Sequence, residues 1–354
     1  GIDITVDNDT VFENVTFTAP TFFTGWTPSD SAVVVFKDQL NLDSPAILNV
    51  AGLAVVLDNN FTFDGDGQIT LYEASLTSDG VNTHDLNIGP QFTLRADGSS
   101  GIPARVSDNG LRVYNQGTIT APDGFTIIDG PGDMFASQPG VINRGQIRGS
   151  FLYIEDTYVD NRGGMIGDAS GFDEIYLVDA RIVGGTVANF VIDSERFEDS
   201  GMDFTRLEEL TLEGQGLING GAIVELAGTI TNNASVEVDG AVTEFVLDGP
   251  VRLDGTGSFI INGEILLTTN SDNDTLTNEA GHTLDFSQSN NIDQFDSSFP
   301  QIINHGTIVL GDALFLPVFS SETLPIGAQV PDLSDPINNP DAVMTLTEET
   351  TYNV

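Results

Sequence analysis

One short stretch recurs along this chain and constrains its fold more than any other feature: an aliphatic residue, Asn, one or two residues, Gly, then strand-forming residues. VYNQGTI (113–119), VINRGQI (141–147) and IINHGTI (302–308) are near copies, and LINGGAI (217–223) is a fourth. Looser versions surround Asn49, Asn161, Asn232, Asn262 and Asn278. Asn tolerates the left-handed backbone region and bonds neighbouring backbone through its amide, and Gly takes positive φ without steric cost. The Thr-Ile or Ala-Ile that follows is strand material. Each copy therefore reads as the end of one strand, a corner, and the start of the next.

The Asn positions 115, 143, 161, 219, 232, 262, 278 and 304 lie 13 to 58 residues apart, which means one kind of corner with arms of variable length. Repetition of this sort predicts an all-β chain: a right-handed parallel β-solenoid (β-helix) with irregular coil lengths and terminal caps. At ~20 to 25 residues per coil it would hold ~14 coils. Asn115, Asn143, Asn219 and Asn304 are expected at equivalent turns, their amides stacked into ladders. Ile119, Ile147, Ile223 and Ile308 are expected to point inward.

A chain of 354 residues would ordinarily suggest two domains, but a solenoid grows along one axis, each coil touching only its neighbours. The expected division is an N-terminal strand and cap region over 1–45, a solenoid body over 46–311, a proline-rich cap or linker over 312–340, and a terminal strand over 341–354. Two stretches, 172–185 and 207–220, align at an offset of 35 and read as coils of the same design. Between them, 193–210 is the one place where a helical turn is plausible, with a loop insertion the equal alternative. Ser235 to Asp239 and Glu244 to Asp248 show period two, apolar inward and acidic outward.

That outward parity carries the most lopsided feature of the composition: 53 Asp and Glu against 11 Lys and Arg, a formal charge of −42. Such a chain repels nucleic acid and anionic lipid surfaces, which need clustered basic residues. It suits salt-rich surroundings in which self-repulsion is screened. No apolar run approaches the ~18 residues of a membrane-spanning helix. The lack of cysteine excludes a disulfide scaffold, a thiolate metal site and a cysteine nucleophile, and together with the Asn, Thr and Gly richness leans towards an extracellular, cell-surface setting.

The corner motif, the Thr/Asn/Asp outward parity and the absence of Cys resemble the passenger regions of bacterial autotransporters and filamentous-haemagglutinin-type secreted proteins, over roughly residues 46–310. The resemblance implies a β-solenoid exported to the cell surface, mostly in adhesins and fibre or matrix proteins, with some proteases and lipases among the passengers.

Candidate chemistry stands beside that reading. The acid pairs Asp64/Asp66, Asp173/Glu174, Glu208/Glu209 and Glu348/Glu349 are the kind of carboxylate pairs a glycosidase needs, although so acidic a chain supplies pairs by chance. Arg144, Arg148 and Arg162 cluster in sequence and are expected to pair with surrounding acids. His84, His282 and His305 are isolated, with no metal-ligand spacing, and no G-x-S-x-G occurs. The best ligand is Ca²⁺, which takes oxygen donors from acid-dense turns: Asp64 and Asp66 in FDGDG, Asp272 and Asp274 in SDNDT. Ordinary Asx turns are the alternative.

The expectation is a non-enzymatic structural or adhesive protein, with a polysaccharide-acting lyase or glycosidase as the alternative. Its partners would be further copies of itself, head to tail, and cell-surface glycans, without nucleic acid or membrane insertion. Residues 344–354 match 4–15 at an offset near 340. The segment 341–354 would then begin a tandem unit or complete a neighbour's first coil, since solenoid ends expose strand edges.

Overall fold

The computed structural model describes residues 2–6, 9–25, 33–42, 47–80, 82–99, 102–108, 110–122, 126–130, 137–171, 173–193, 204–239, 242–271, 274–288, 291–293, 301–310, 343–345 and 350–352. Every regular element among them is a strand, and apart from Val343–Thr345 and Thr350–Tyr352 the strands stack in parallel as β-solenoid coils, about ten turns in all. That is fewer than the ~14 expected from a typical repeat length. The chain divides into two compact units, Gly1–Val191 and Ile192–Val354.

In the first unit, parallel stacking begins well before residue 46. Ile2–Val6 pairs with Thr21–Gly25, and Thr10–Phe17 pairs with Val33–Leu42. Phe12, Phe17, Phe23 and Phe36 fill these coils, with Phe12 and Phe23 packed edge to face at 5.2 Å and 76°. Further along, one inward row can be followed from strand to strand: Leu48, Ile69, Leu94, Ile119, Ile147, Ile166, advancing by 21, 25, 25, 28 and 19 residues. All six are buried. Because strand side chains alternate between faces, the partners Gln68, Thr93, Thr118 and Gln146 form the outward row beside it. Each inward aliphatic contributes about 1.5–3 kcal/mol relative to exposure, and this row supports every described coil it crosses.

The corners are of two kinds. At the first, Asn115 Nδ2 donates to Asn143 Oδ1 and Asn143 Nδ2 to Asn161 Oδ1, each at 2.7 Å, and Asn161 Nδ2 donates to the Thr186 carbonyl at 3.1 Å. All three amides are fully buried. The glycines after Asn115 and Asn143 serve close approach rather than positive φ. A Cβ at Gly117 would be driven into the carbonyl oxygen of Gly89, and one at Gly145 into that of Gly117. The second kind turns on a single left-handed residue: Gly52, Glu73, Asp156 and Asp179, with φ between 48° and 66°. Each is followed by a buried Leu53, Ala74, Thr157 or Ala180. Acidic residues mark three of these corners, which conceals them among the many surface acids.

The second unit repeats both devices. Glu209 (φ 50°) and Gly228 (φ 66°) form left-handed corners. Asn278 Nδ2 donates to Asn304 Oδ1 at 2.7 Å, and His282 sits between Asn232 and Asn278, with Nδ1 2.6 Å from Asn278 Oδ1 and Nε2 3.1 Å from Asn232 Nδ2. Asn219 departs from the expected equivalence. It is half-buried and joins no amide ladder among the described hydrogen bonds; its backbone N–H donates to the Ile192 carbonyl. Its turn closes through Ala222 N–H to Asn219 O, which points Ala222 and Val224 inward and Ile223 outward, in register with Glu244. A one-residue shift reverses a strand's faces. Ile308 stays on the inward row beside Leu284 but is half-buried.

Residues 194–203 of the expected helical turn lie outside the described residues, and Phe204–Glu208 is a strand. At the far end Val343–Thr345 pairs antiparallel with Thr307–Leu310, and Thr350–Tyr352 pairs antiparallel with Gln301–Asn304. The terminal segment thus lies on the chain's own last parallel coil.

Candidate functional site

Chemistry gathers in the first unit where the strand Gln146–Glu155 is broken by a bulge. Its register with Glu174–Val178 skips from Ser150–Glu174 to Leu152–Ile175, so Phe151 has no partner in the ladder. Phe151 takes φ 57° and is 51% exposed, a position that costs a bulky residue backbone energy and gives no burial in return. The loop beside it, after the short strand Met165–Ile166, is pinned from the next coil. Asn189, itself left-handed at φ 51°, donates through Nδ2 to the Asp168 carbonyl at 2.6 Å and the Gly171 carbonyl at 3.3 Å. At Gly167 (φ 79°) only glycine fits, because a Cβ would strike the Ala188 carbonyl.

Two carboxyl groups in this loop have opposite environments. Asp168 Oδ1 accepts from the Ser170 hydroxyl at 2.7 Å and from Ser170 N–H at 2.9 Å; these bonds, aided by Arg148, hold its pKa below the usual carboxylate value. Asp173 is raised, first by burial and then by the negative charge of Asp168, against opposition from Arg148 and a hydrogen bond from Gly149 N–H. Asp173 Oδ2 is buried without a hydrogen-bond partner, which suits a protonated acid. Two carboxyl groups pushed apart in this way can serve as an acid and its ionised partner.

The pairing legible in the sequence was Asp173/Glu174. In the structure Glu174 is engaged elsewhere: Tyr176 Oη donates to Glu174 Oε1 at 2.6 Å, and the Tyr176 ring stacks on Tyr153 with centroids 4.4 Å apart. The partner of Asp173 is Asp168, five residues away across the loop. No spacing rule marks Asp168, Asp173 and Arg148 as neighbours; the fold of the loop brings them together.

The other candidates are placed as follows. Arg144 and Arg162 both grip Asp160, at 2.9 Å each; burial alone would raise that carboxyl, but the two guanidiniums hold it down at about 2. Glu208 binds Arg206 at 3.1 Å, and Arg206 also reaches Glu225 and Asp248, joining three acids of adjacent coils. Asp64 and Asp66 are exposed at one turn, where Asp64 Oδ1 accepts from Gly65 N–H at 2.8 Å. Asp274 Oδ2 accepts from Ser271 N–H at 3.0 Å, while Asp272, Glu348 and Glu349 lie outside the described residues. Among the described residues no group of three or more His, Asp or Glu side chains is placed to hold a metal ion. His84 Nε2 lies 3.4 Å from Asp79, and His305 is exposed in its corner.

No protein-family model matches this chain, and comparison with curated proteins and with solved structures likewise returns no significant match.

Proposed function

We propose that this chain is a non-enzymatic extracellular structural or adhesive protein, a β-solenoid that builds a cell-surface fibre, stalk or matrix by end-to-end stacking. The observation that carries this reading is the pair of buried ladders, Asn115–Asn143–Asn161 and Asn232–His282–Asn278–Asn304. They invest the chain's polar interior in tying coils to one another, a use that serves rigidity rather than turnover. In the fibre, Ile2–Val6 and Thr10–Phe17 of one copy would meet the end of another formed by Val343–Thr345 and Thr350–Tyr352. Open solenoid edges favour that contact. Electron microscopy and sedimentation of the purified chain should find linear assemblies, and deletion of 341–354 should leave a folded body that no longer assembles. A wild-type protein that stays monomeric at high concentration, with no longitudinal contacts, rejects the fibre.

One observation favours a second reading, a polysaccharide-acting enzyme: the Asp168/Asp173 pair beside Arg148. In that reading Asp173 protonates a leaving oxygen and Asp168 acts as the ionised partner. A panel of polysaccharides assayed for released reducing ends separates the two. Turnover that disappears in Asp173→Asn and Asp168→Asn, while both variants stay folded, would replace the structural reading with this one.

A further inference from the structure

Five parallel strands of the second unit form one continuous sheet face: Thr211–Ile218, Ser235–Val238, Ser258–Ile261, Thr283–Phe286 and Thr307–Leu310. Their registers lock the outward residues into two straight rows. The first is Gln215, Ser235, Ser258, Thr283 and Thr307: an amide followed by four hydroxyls. The second is Leu217, Glu237, Ile260, Asp285 and Val309, in which aliphatic and acidic residues alternate coil by coil. All ten are exposed or half-buried. Neither row can be found by reading along the chain, since neighbours within a row are 20 to 25 residues apart.

Parallel strands lie about 4.8 Å apart, so the carboxylates of Glu237 and Asp285 recur at about 9.6 Å, as do the aliphatic residues between them. That period is close to the two-sugar repeat of an extended β-1,4-linked polysaccharide. We propose that this face binds an extended amino-bearing β-1,4-glycan laid along the stacking direction. Its ammonium groups would meet Glu237 and Asp285, its hydroxyls the Ser/Thr row, and its C–H faces Leu217, Ile260 and Val309. Charge complementarity selects this occupant: a chain at −42 repels an acidic glycan, and a neutral one would leave both carboxylates without a counter-charge. The proposal rests on the adhesive reading above and names the polymer that the adhesive surface takes.

The probes are glucosamine oligomers, their N-acetylated counterparts, cellulose oligomers, polygalacturonate and oligolysine, each titrated into the full chain by calorimetry at pH 6. Glucosamine oligomers should bind, and the double variant Glu237→Gln/Asp285→Asn should lose at least tenfold in affinity. The control Glu13→Gln/Glu73→Gln removes the same two charges from the first unit and should bind as wild type. Nonspecific attraction to a polyanion would scarcely notice two charges of 53, so only a local site gives that contrast. Thr283→Arg, which keeps the strand and blocks the hydroxyl row, should also lose binding. Equal binding of acetylated oligomers or of oligolysine, or wild-type affinity in the double variant, overturns the proposal. If the double variant binds glucosamine oligomers as wild type does while wild type adheres or assembles, this face is wrong and the adhesive reading stands. If wild type neither adheres nor assembles while glucosamine oligomers bind, that reading fails and the face stands.

Discussion

A residue in the ladder is stabilised by what lies above and below it, which makes the cost of losing one amide predictable. Asn143 accepts from Asn115, donates to Asn161 at 2.7 Å, and also donates to the Met165 carbonyl at 3.1 Å. Asn143→Ala therefore leaves two buried partners unmatched, each at about 1–3 kcal/mol. Chemical denaturation should show a loss of roughly 2–5 kcal/mol, against less than about 0.5 kcal/mol for an exposed residue such as His305→Ala. His282 makes the second ladder sensitive to pH. Its neutral tautomer donates from Nδ1 to Asn278 and accepts at Nε2 from Asn232. A proton on Nε2 would face another donor. Burial, with only partial opposition from Asp254, depresses its pKa to about 4 from an ordinary 6.5. The unfolded chain therefore binds more protons between those values, and stability falls as pH drops from 6.5 towards 4. The full loss is on the order of 3 kcal/mol; the stability contributed by Asp160 is lost further down, as pH falls from 3.8 through about 2. Thermal melts across that window should show the slope in wild type and lose it in His282→Asn.

At the scale of one corner, what counts is how closely successive coils approach. Gly117 and Gly145 stack with their backbones in near contact, and the first Cβ added at Gly145 meets the carbonyl and chain of the coil before it. Gly145→Ala should cost more than an ordinary glycine substitution, roughly 2–4 kcal/mol, since backbone cannot move aside as a side chain can. Gly221→Ala offers the contrast. Nothing lies within 4 Å of its Cβ position, so any cost comes from its φ of +87° alone, about 1 kcal/mol. Comparing the two by equilibrium unfolding separates close approach from backbone strain; equal losses would contradict the assignment. The left-handed corners at Glu73, Asp156, Asp179 and Glu209 accept that strain because the residue after each is buried, tying the turn to the core.

Over the whole molecule, charge sets the working conditions. A formal charge of −42, with most described arginines already held in ion pairs, leaves a large uncompensated surface repulsion. Salt screens repulsion between exposed charges more than it weakens the buried ladders. The melting temperature should therefore rise between 0.01 and 0.15 M salt, as the Debye length shrinks from about 30 to about 8 Å. A melting temperature that falls with salt would show that exposed ion pairs such as Arg252–Glu279, at 2.8 Å, outweigh the general repulsion.

Much of the architecture was written locally. The Asn corners, the period-two strands and the inward aliphatics predict a stacked β-coil, because each coil must satisfy its own backbone and bury its own face whatever its neighbours are. Asn115, Asn143 and Asn304 show this directly: each combines a buried amide with a glycine that allows close approach. Asn219 carries the same letters, yet a different turn closure moves Ile223 outward, a choice made by backbone hydrogen bonds that the letters do not encode. Register lies further still from sequence. Phe151 reached the surface, and Asp168 reached Asp173, because a bulge and a pinned loop brought them there. His282, isolated in sequence, became a rung because stacking placed an imidazole between two asparagines. The sequence by itself determined what each coil is, since periodicity and corner chemistry are properties of neighbouring residues. Only the tertiary structure decided which residues of different coils stand side by side, because stacking compares positions 18 to 50 residues apart and coils of unequal length offer no fixed interval to count.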